Sequence, residues 1–557
     1  MSKAHRSPVM SASVLLALCA VAPVLMPGSA RAQAAAGSAG PEGTPGGGVT
    51  SPRPEPRFDI KRFEVVGADK VPADRLAAAL APFTGAGRRF SDIESAVQAV
   101  RDVYAQASIT AVQVLIPEQT LEGGVVKLQV EELQVARIEI SGAQARSREN
   151  VLRAVPGLSQ GITPVDTELS AQLRLANENP ARQMQVTFRT EDDGSLTGVL
   201  RVADRSPWTT QLSLDNTGSD TTGKYRVGLT VQHANLLERD IVGAVQLQTS
   251  PGHVDDVKIG FANLRVPLYP LGLMLETTAV HSNVDSGTVK TSAGDYLLSS
   301  RGDSFSLRLT RLLPRWGALD HRLSIGQDWR RVDSQVTTFG GGPSLVPDIQ
   351  LRPVTLGYSL SWREDAHSVF AQLSLSRNLP AGGRSAESVF QEPGLRAGAN
   401  PHYTVQRASA GFATALGAWT LNTQWSAQWS NDALVSAELF SIGGEGSIRG
   451  FNGRLASADQ GQRLGLELQS PVKTWALGTA GPLAGAWVFF AEAGEVRRNL
   501  PQAGERVRTA LAGAGLGVRL TWRERLALRA DVGVVTRGAG LAPRGDRFVH
   551  LGLNYAI

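Results

Sequence analysis

From Trp208 to Ile557, apolar residues alternate with Gly, Ser, Thr, Arg and Gln in short runs. Tyr225, Val227, Leu229 and Val231 make one run, and Val257, Ile259 and Phe261 a second. Phe305, Leu307 and Leu309 make a third, and Val549, Leu551, Leu553, Tyr555 and Ile557 the last. A period of two places every apolar side chain of a run on one face of a sheet. A strand that crosses a membrane needs about 9 to 11 residues with apolar side chains outward and polar ones inward. At roughly 20 residues per strand and turn, the stretch predicts on the order of 16 antiparallel strands, an even number that closes without an exposed edge. The expected fold class is therefore mainly β, with a C-terminal 16-stranded antiparallel transmembrane β-barrel over 207–557. A soluble β-sandwich is the alternative. Tyr555 near the end of the final run favours the barrel, since girdle aromatics sit at membrane interfaces.

Ahead of this region the period lengthens. Ile60 to Val66 is apolar-rich and ends at Gly67, and Pro72 opens a short helix with Leu76 and Leu80 on one face. Ser91-Asp92-Ile93-Glu94 has the form of a capping box. Ile93, Val97, Val100 and Tyr104 then make one helical stripe. Val112, Val114 and Ile116 alternate, Glu122-Gly123-Gly124 turns the chain, and Val126, Leu128 and Val130 return. The same order repeats. Ala136, Ile138 and Ile140 form a strand, and Arg148 to Val155 a helix broken by Pro156-Gly157. A second helix opens at Thr163-Pro164, carries Val165, Leu169, Leu173 and Ala176 on one face, and stops at Pro180. Met184, Val186 and Phe188 alternate, Asp193-Gly194 turns, and Leu196 to Val202 returns. Two α/β units of order β-α-α-β-β, 58–132 and 133–206, thus precede the barrel.

The N-terminus adds a location. Lys3 and Arg6, an apolar run from Val14 to Met26 and Ala30-Arg31-Ala32 read as a secretory signal peptide over 1–32. Residues 33–57 form a Gly/Pro-rich leader that cannot bury a core and is a poor helix former. The one cysteine, Cys19, falls inside the signal peptide, so the mature chain relies on burial and closed hydrogen bonding rather than disulfides. A net charge of +5 over 557 residues, without basic blocks, gives no nucleic-acid signature. The eight histidines are scattered, and H-E-x-x-H and G-x-S-x-G patterns are absent. Gly340-Gly341-Gly342 lacks the GK[ST] ending of a phosphate loop. No catalytic residue, metal or cofactor is expected, and the chain does not read as an enzyme.

One segment carries more specific information. Phe440 to Phe451, FSIGGEGSIRGF, ends in Ile448-Arg449-Gly450-Phe451, and Phe490-Ala491-Glu492-Ala493-Gly494 follows. Ile448 to Phe451 resembles the (V/I)RG(F/Y) motif of barrels that move polypeptides across the outer membrane of Gram-negative bacteria. Ile116-Pro117-Glu118-Gln119, with Glu122-Gly123-Gly124-Val125, is similar to the P-x-Q and glycine turn of a first POTRA domain. Leu173 to Pro180, LRLANENP, is similar to the helix of a second that ends in N-x-N/D-P. Asp215-Asn216-Thr217-Gly218, with Thr222-Gly223 and Arg226, is similar to the segment opening such barrels. Asp459-Gln460-Gly461 and Glu467-Leu468 are similar to the segment around their sixth extracellular loop. In this order the fragments resemble two-partner secretion transporters, the TpsB family of haemolysin and filamentous haemagglutinin exporters in the POTRA-barrel superfamily. Two positions depart. Glu492 stands where the family's F-x-D-x-G has Asp, and Ile557 stands where the chain usually ends in Phe.

The resemblance implies POTRA domains in the periplasm and a barrel in the outer membrane. It implies recognition of an unfolded TpsA-like exoprotein, a large adhesin or haemolysin-like client, and its passage to the cell surface without nucleotide hydrolysis. It further implies that Arg449 folds back into the lumen to pair with Glu492, with Ile448, Gly450 and Phe451 completing the motif. Outer-membrane lipid and lipopolysaccharide, and the barrel assembly machinery for insertion, are the other implied partners; the implied state is a monomer or weak dimer. Val186, Phe188 and Leu200, on the hairpin of the second α/β unit, are the candidate client contacts, because an open sheet edge accepts an extended strand. Two other functions compete: an assembly or insertion factor of the same superfamily, which carries more POTRA domains, and a passive porin, which needs none.

Overall fold

The computed structural model describes residues 57–557 apart from 121, 220–221, 285–286, 292–293, 299–300 and 334–345. The predicted signal peptide, Cys19, leader residues 33–56 and the glycine run 340–342 lie outside the described residues. Arg57, read as the end of the leader, already belongs to a strand, Arg57–Ile60.

In the first α/β unit, Arg62–Val66 runs parallel to Val125–Glu132, which pairs antiparallel with Val112–Leu115. Helices Ala73–Leu80 and Phe90–Gln106 supply Leu76, Leu80, Ile93, Val97, Val100 and Tyr104 to one core with Val114, Val126, Leu128 and Val130. The stripe read from the sequence is thus the buried face. The segment read as one strand from Ile60 is split, and Arg57–Ile60 pairs separately with Gly85–Arg89. The second helix also starts at Phe90, before Ser91. Asp92, its third residue, therefore accepts the Arg89 N–H at 2.8 Å, in place of Glu94.

The second unit repeats the plan. Val135–Ser141 runs parallel to Leu196–Asp204, which pairs antiparallel with Arg182–Thr190. Helices Arg148–Arg153 and Asp166–Ala176 cover one face. Its core of Val151, Leu169, Leu175, Met184 and Leu200 is completed from outside by Tyr269 and Met274, which belong to the barrel.

Eighteen strand segments from Trp208 to Ala556 close the barrel among the described residues. Ile349–Leu351 continues Pro353–Arg363, and Lys473–Ala476 continues Gln460–Gln469, which leaves sixteen antiparallel staves. Closure satisfies the backbone groups that lipid cannot. Val227, Leu229, Phe305, Leu307, Val549 and Leu551 are exposed on the outside, with Trp208, Trp316, Trp329, Trp429, Trp475 and Trp487. One predicted run is reversed. Ile259 and Phe261 are buried, on the side of Asn263 and Gln246, and Ile259 clusters with Val257 and Val284. The outward face of that strand carries Ala262 and Leu264 instead.

The first and last staves meet over five residue pairs, Asp215↔Gly552 to Gln211↔Ala556. The side chain of Asn216 extends this seam. It donates to the Val549 carbonyl at 2.6 Å and accepts the Leu551 N–H at 2.8 Å. Gln119 does the same to both main-chain groups of Lys127, and Asn177 to both of Met184. A side-chain amide has a carbonyl and N–H donors, so it can stand in for a missing peptide unit at a sheet margin.

The second unit sits on the turns at one end of the barrel. Asp240, in the turn after Arg226–Leu236, accepts from Arg146 at 3.2 Å, Arg182 at 2.8 Å and the Tyr269 hydroxyl at 2.9 Å. Arg146 also pairs with Asp204 and donates to Asn179 at 3.1 Å. All these side chains are buried. Around them, Glu178 holds Arg322 at 3.0 Å and Arg174 holds Asp320 at 2.8 Å. At the opposite end the sixth loop, 430–459, links Trp419–Trp429 to Gln460–Gln469 and turns inward.

Candidate functional site

The tip of the sixth loop lies against the inner wall. Ile448 and Phe451 are buried in a small core with Ile442, Ala456, Ala458, Val496, Leu511 and Val535. Between them, Gly450 adopts φ 103°, a left-handed conformation that glycine enters without steric cost. Its close approach needs a bare wall. A Cβ at Gly513 would run into the Arg449 carbonyl, and one at Gly533 into the backbone of Gly450. The Gly450 N–H reaches His550 Nε2 at 3.3 Å.

Arg449 is 3% exposed and touches three wall carboxylates. Its Nη2 lies 2.6 Å from Glu492 Oε1 and 3.0 Å from Glu467 Oε2, and its Nη1 lies 3.3 Å from Asp531 Oδ2. The Arg449 backbone N–H also donates to Glu492 Oε2 at 2.6 Å. The guanidinium stands 3.6 Å from the centroid of the Phe490 ring, a cation–π distance. Phe490, Glu492 and Gly494 all face inward on Pro482–Arg497, so the F-x-E-x-G spacing is the period of a strand. Gly494 leaves room for Ile442 of the loop. Burial alone would lower the Arg449 pKa, but Glu492, Glu467 and Asp531 together outweigh it and the group is held above its ordinary value.

Asp531 is the residue that the sequence reading missed. It is fully buried and receives Arg449, Arg519 at 2.7 Å and Arg529 at 2.7 Å. Arg529 in turn pairs with Glu445 of the loop at 3.1 Å. The loop tip is therefore held on Pro482–Arg497 and Leu526–Arg537 by interlocked charges of both signs. Such an arrangement binds and positions a loop. Among the described residues no cluster of His, Cys, Asp or Glu is arranged to hold a metal ion.

Of the candidate client contacts, Val186 and Phe188 lie half-buried on Arg182–Thr190, an outer strand of its sheet. Glu191 donates to the Ser195 carbonyl across the hairpin at 2.9 Å, which makes the odd positions the hydrogen-bonded pairs. The main-chain groups of Met184, Val186 and Phe188 therefore point away from the sheet. Asn177 takes those of Met184, which shows the direction independently. Leu200 does not share this surface. It is fully buried on the central strand Leu196–Asp204, so it supports the sheet and offers nothing to a client.

Residues 199–520 match the family described as haemolysin secretion/activation protein ShlB/FhaC/HecB, and residues 58–132 match the ShlB-type POTRA domain. The heme/hemopexin transporter protein HuxB of Haemophilus influenzae Rd is 21% identical over 432 residues, 74% of this chain and 72% of that protein. The outer membrane transporter CdiB of Escherichia coli strain 536 is 24% identical over 440 residues, 74% of this chain and 69% of that protein. The solved structure of CdiB from Escherichia coli superposes with a TM-score of 0.71 at 20% identity, covering 92% of this chain and 93% of that one.

Proposed function

The chain belongs to the ShlB/FhaC/HecB family of haemolysin secretion/activation proteins, outer-membrane transporters of two-partner secretion, and we propose that it exports one large adhesin- or haemolysin-like exoprotein. The barrel lies in the outer membrane with its α/β units in the periplasm. The client arrives unfolded and adds a strand to the open edge at Val186 and Phe188, where main-chain hydrogen bonds give affinity with little dependence on sequence. It then passes through the lumen and folds outside, and that folding supplies the drive in place of a nucleotide.

The observation that carries this reading is the clamp of Arg449 on Glu492 and Asp531. The clamp holds the loop inside the lumen, where it obstructs the conduit. A conduit that must admit a chain and exclude solutes needs a positioned, releasable obstruction. The test is secretion of the client, normalised to transporter in the outer membrane, with Arg449→Ala. Normal secretion at equal transporter levels rejects the reading.

A further inference from the structure

The tip clamp leaves another buried charge on the same loop unexplained. Glu438 ends the short helical turn Ser436–Glu438 on the rising limb and is 1% exposed. Its Oε1 receives Arg330 at 2.8 Å and the Tyr403 hydroxyl at 3.0 Å, and its Oε2 receives Arg407 at 2.6 Å. Its carbonyl accepts Gln428 at 2.7 Å. Burial would raise the Glu438 carboxyl, but Arg330 and Arg407 outweigh it and hold it below the usual carboxylate range.

Arg330 lies on Leu319–Asp333, the seventh stave, and Arg407 on Thr404–Leu416, the tenth. The tip is held on the twelfth, through Glu467, and on the thirteenth and fifteenth. The two attachments thus fall on separate arcs of the wall, the seventh and tenth staves for Glu438 and the twelfth to fifteenth for the tip. They share no residue. At the limb a loop carboxylate rests on wall arginines, and at the tip Arg449 rests on wall carboxylates with Glu445 on Arg529 beside it. Both attachments are satisfied together only where each loop charge meets its own wall partner.

We propose that Glu438 is a second anchor, and that the sixth loop is a strap fixed to the lumenal wall at two separate points. An apolar contact would hold the limb without burying charge, whereas an ion pair loses little when water reaches it. Water has a route. A cavity of about 530 Å³ is lined by Glu438, Arg330, Arg407, Gln428 and Asp328. Glu438 is thus a positioning residue, released when the lumen hydrates during passage of a client. The inference rests on the reading of the loop as a movable obstruction.

The purified full chain in planar bilayers gives the test, because conductance needs no client. Glu438→Gln keeps the volume and removes the charge, and Arg407→Gln weakens the same anchor without touching the loop. Each variant is expected to insert as a heat-modifiable barrel and to raise open-state occupancy about tenfold. Combined with Arg449→Ala, Glu438→Gln should raise it beyond either single variant, since each anchor alone still restrains the strap. Inserted variants with native occupancy overturn the proposal, as does a lowered heat-modification temperature without a change in occupancy. A double variant equal to Arg449→Ala alone overturns it too. If Arg449→Ala secretes normally, the transport reading fails, and the conductance of the Glu438 variants still decides the second anchor.

Discussion

Glu492 grips Arg449 twice, with Oε2 on the backbone N–H at 2.6 Å and Oε1 on the guanidinium at 2.6 Å. The loop is therefore held by its main chain as well as by its charge, and side-chain replacement removes only part of the hold.

Arg449→Ala should leave the barrel inserted and heat-modifiable and reduce client secretion about fivefold or more, as a lost charge-assisted contact of ~1–3 kcal/mol implies. Lysine should rescue poorly, since a point charge cannot meet Glu492, Glu467 and Asp531 with a planar fork. Glu492→Ala should resemble Arg449→Ala, and the double variant should be no worse than either if the two act as a unit. Glu492→Asp keeps the charge and should cost less than about threefold. Exoprotein in the medium, per transporter in the outer membrane, is the measurement.

At the periplasmic edge, Val186→Pro removes a main-chain donor that points away from its own sheet. The sheet keeps its hydrogen bonds, and the incoming strand loses one. Client affinity for the purified protein should fall about fivefold, in line with ~1 kcal/mol for a hydrogen bond. A folded variant that binds the client as tightly as the native chain rules this edge out.

How far the sequence could show this follows from the range of each interaction. Barrel staves and helical stripes are local patterns, so Val227-Leu229 and Val97-Val100 were legible. Ile259 and Phe261 misled, because alternation gives the two faces of a strand but not which one points to lipid. Arg449 and Glu492 were visible through a motif. Asp531 and Glu438 were not, since an acid at one position of a lumenal strand or loop looks like any other until Arg519, Arg529, Arg330 and Arg407 are brought to it. The amides Gln119, Asn177 and Asn216 lay within recognised fragments, but their shared role on sheet margins required coordinates.

Asp240 fixes the second α/β unit to the barrel. Asp240→Asn keeps the shape but leaves Arg146 and Arg182 buried with too little opposing charge. Losing one partner of a buried ion pair costs about 3–5 kcal/mol. Hydrogen exchange over 135–204 should rise while Arg508–Trp522 stays protected. Unchanged exchange in the unit would show that Tyr269, Met274 and the outer pairs of Glu178 and Arg174 suffice for docking.

The seam between the first and last staves is closed by only five residue pairs, against fifteen between Pro482–Arg497 and Arg508–Trp522. Asn216 adds two hydrogen bonds where those pairs stop. Asn216→Ala leaves the Val549 carbonyl and the Leu551 N–H without this partner at the far end of the seam. At ~0.5–1.5 kcal/mol for each hydrogen bond, the loss is about 1–3 kcal/mol. The heat-modification midpoint should then fall by several degrees, at roughly 2–4 °C per kcal/mol for a body of this size. Asn216→Asp keeps the acceptor for Leu551, but it loses the donor and sets a carboxylate against the Val549 carbonyl, so it should not recover the midpoint. Secretion per folded transporter should remain near native in both, because neither change touches the loop clamp. A native midpoint in Asn216→Ala would mean that the main-chain pairs and the Ile557 N–H on Thr210 at 2.9 Å close the seam unaided.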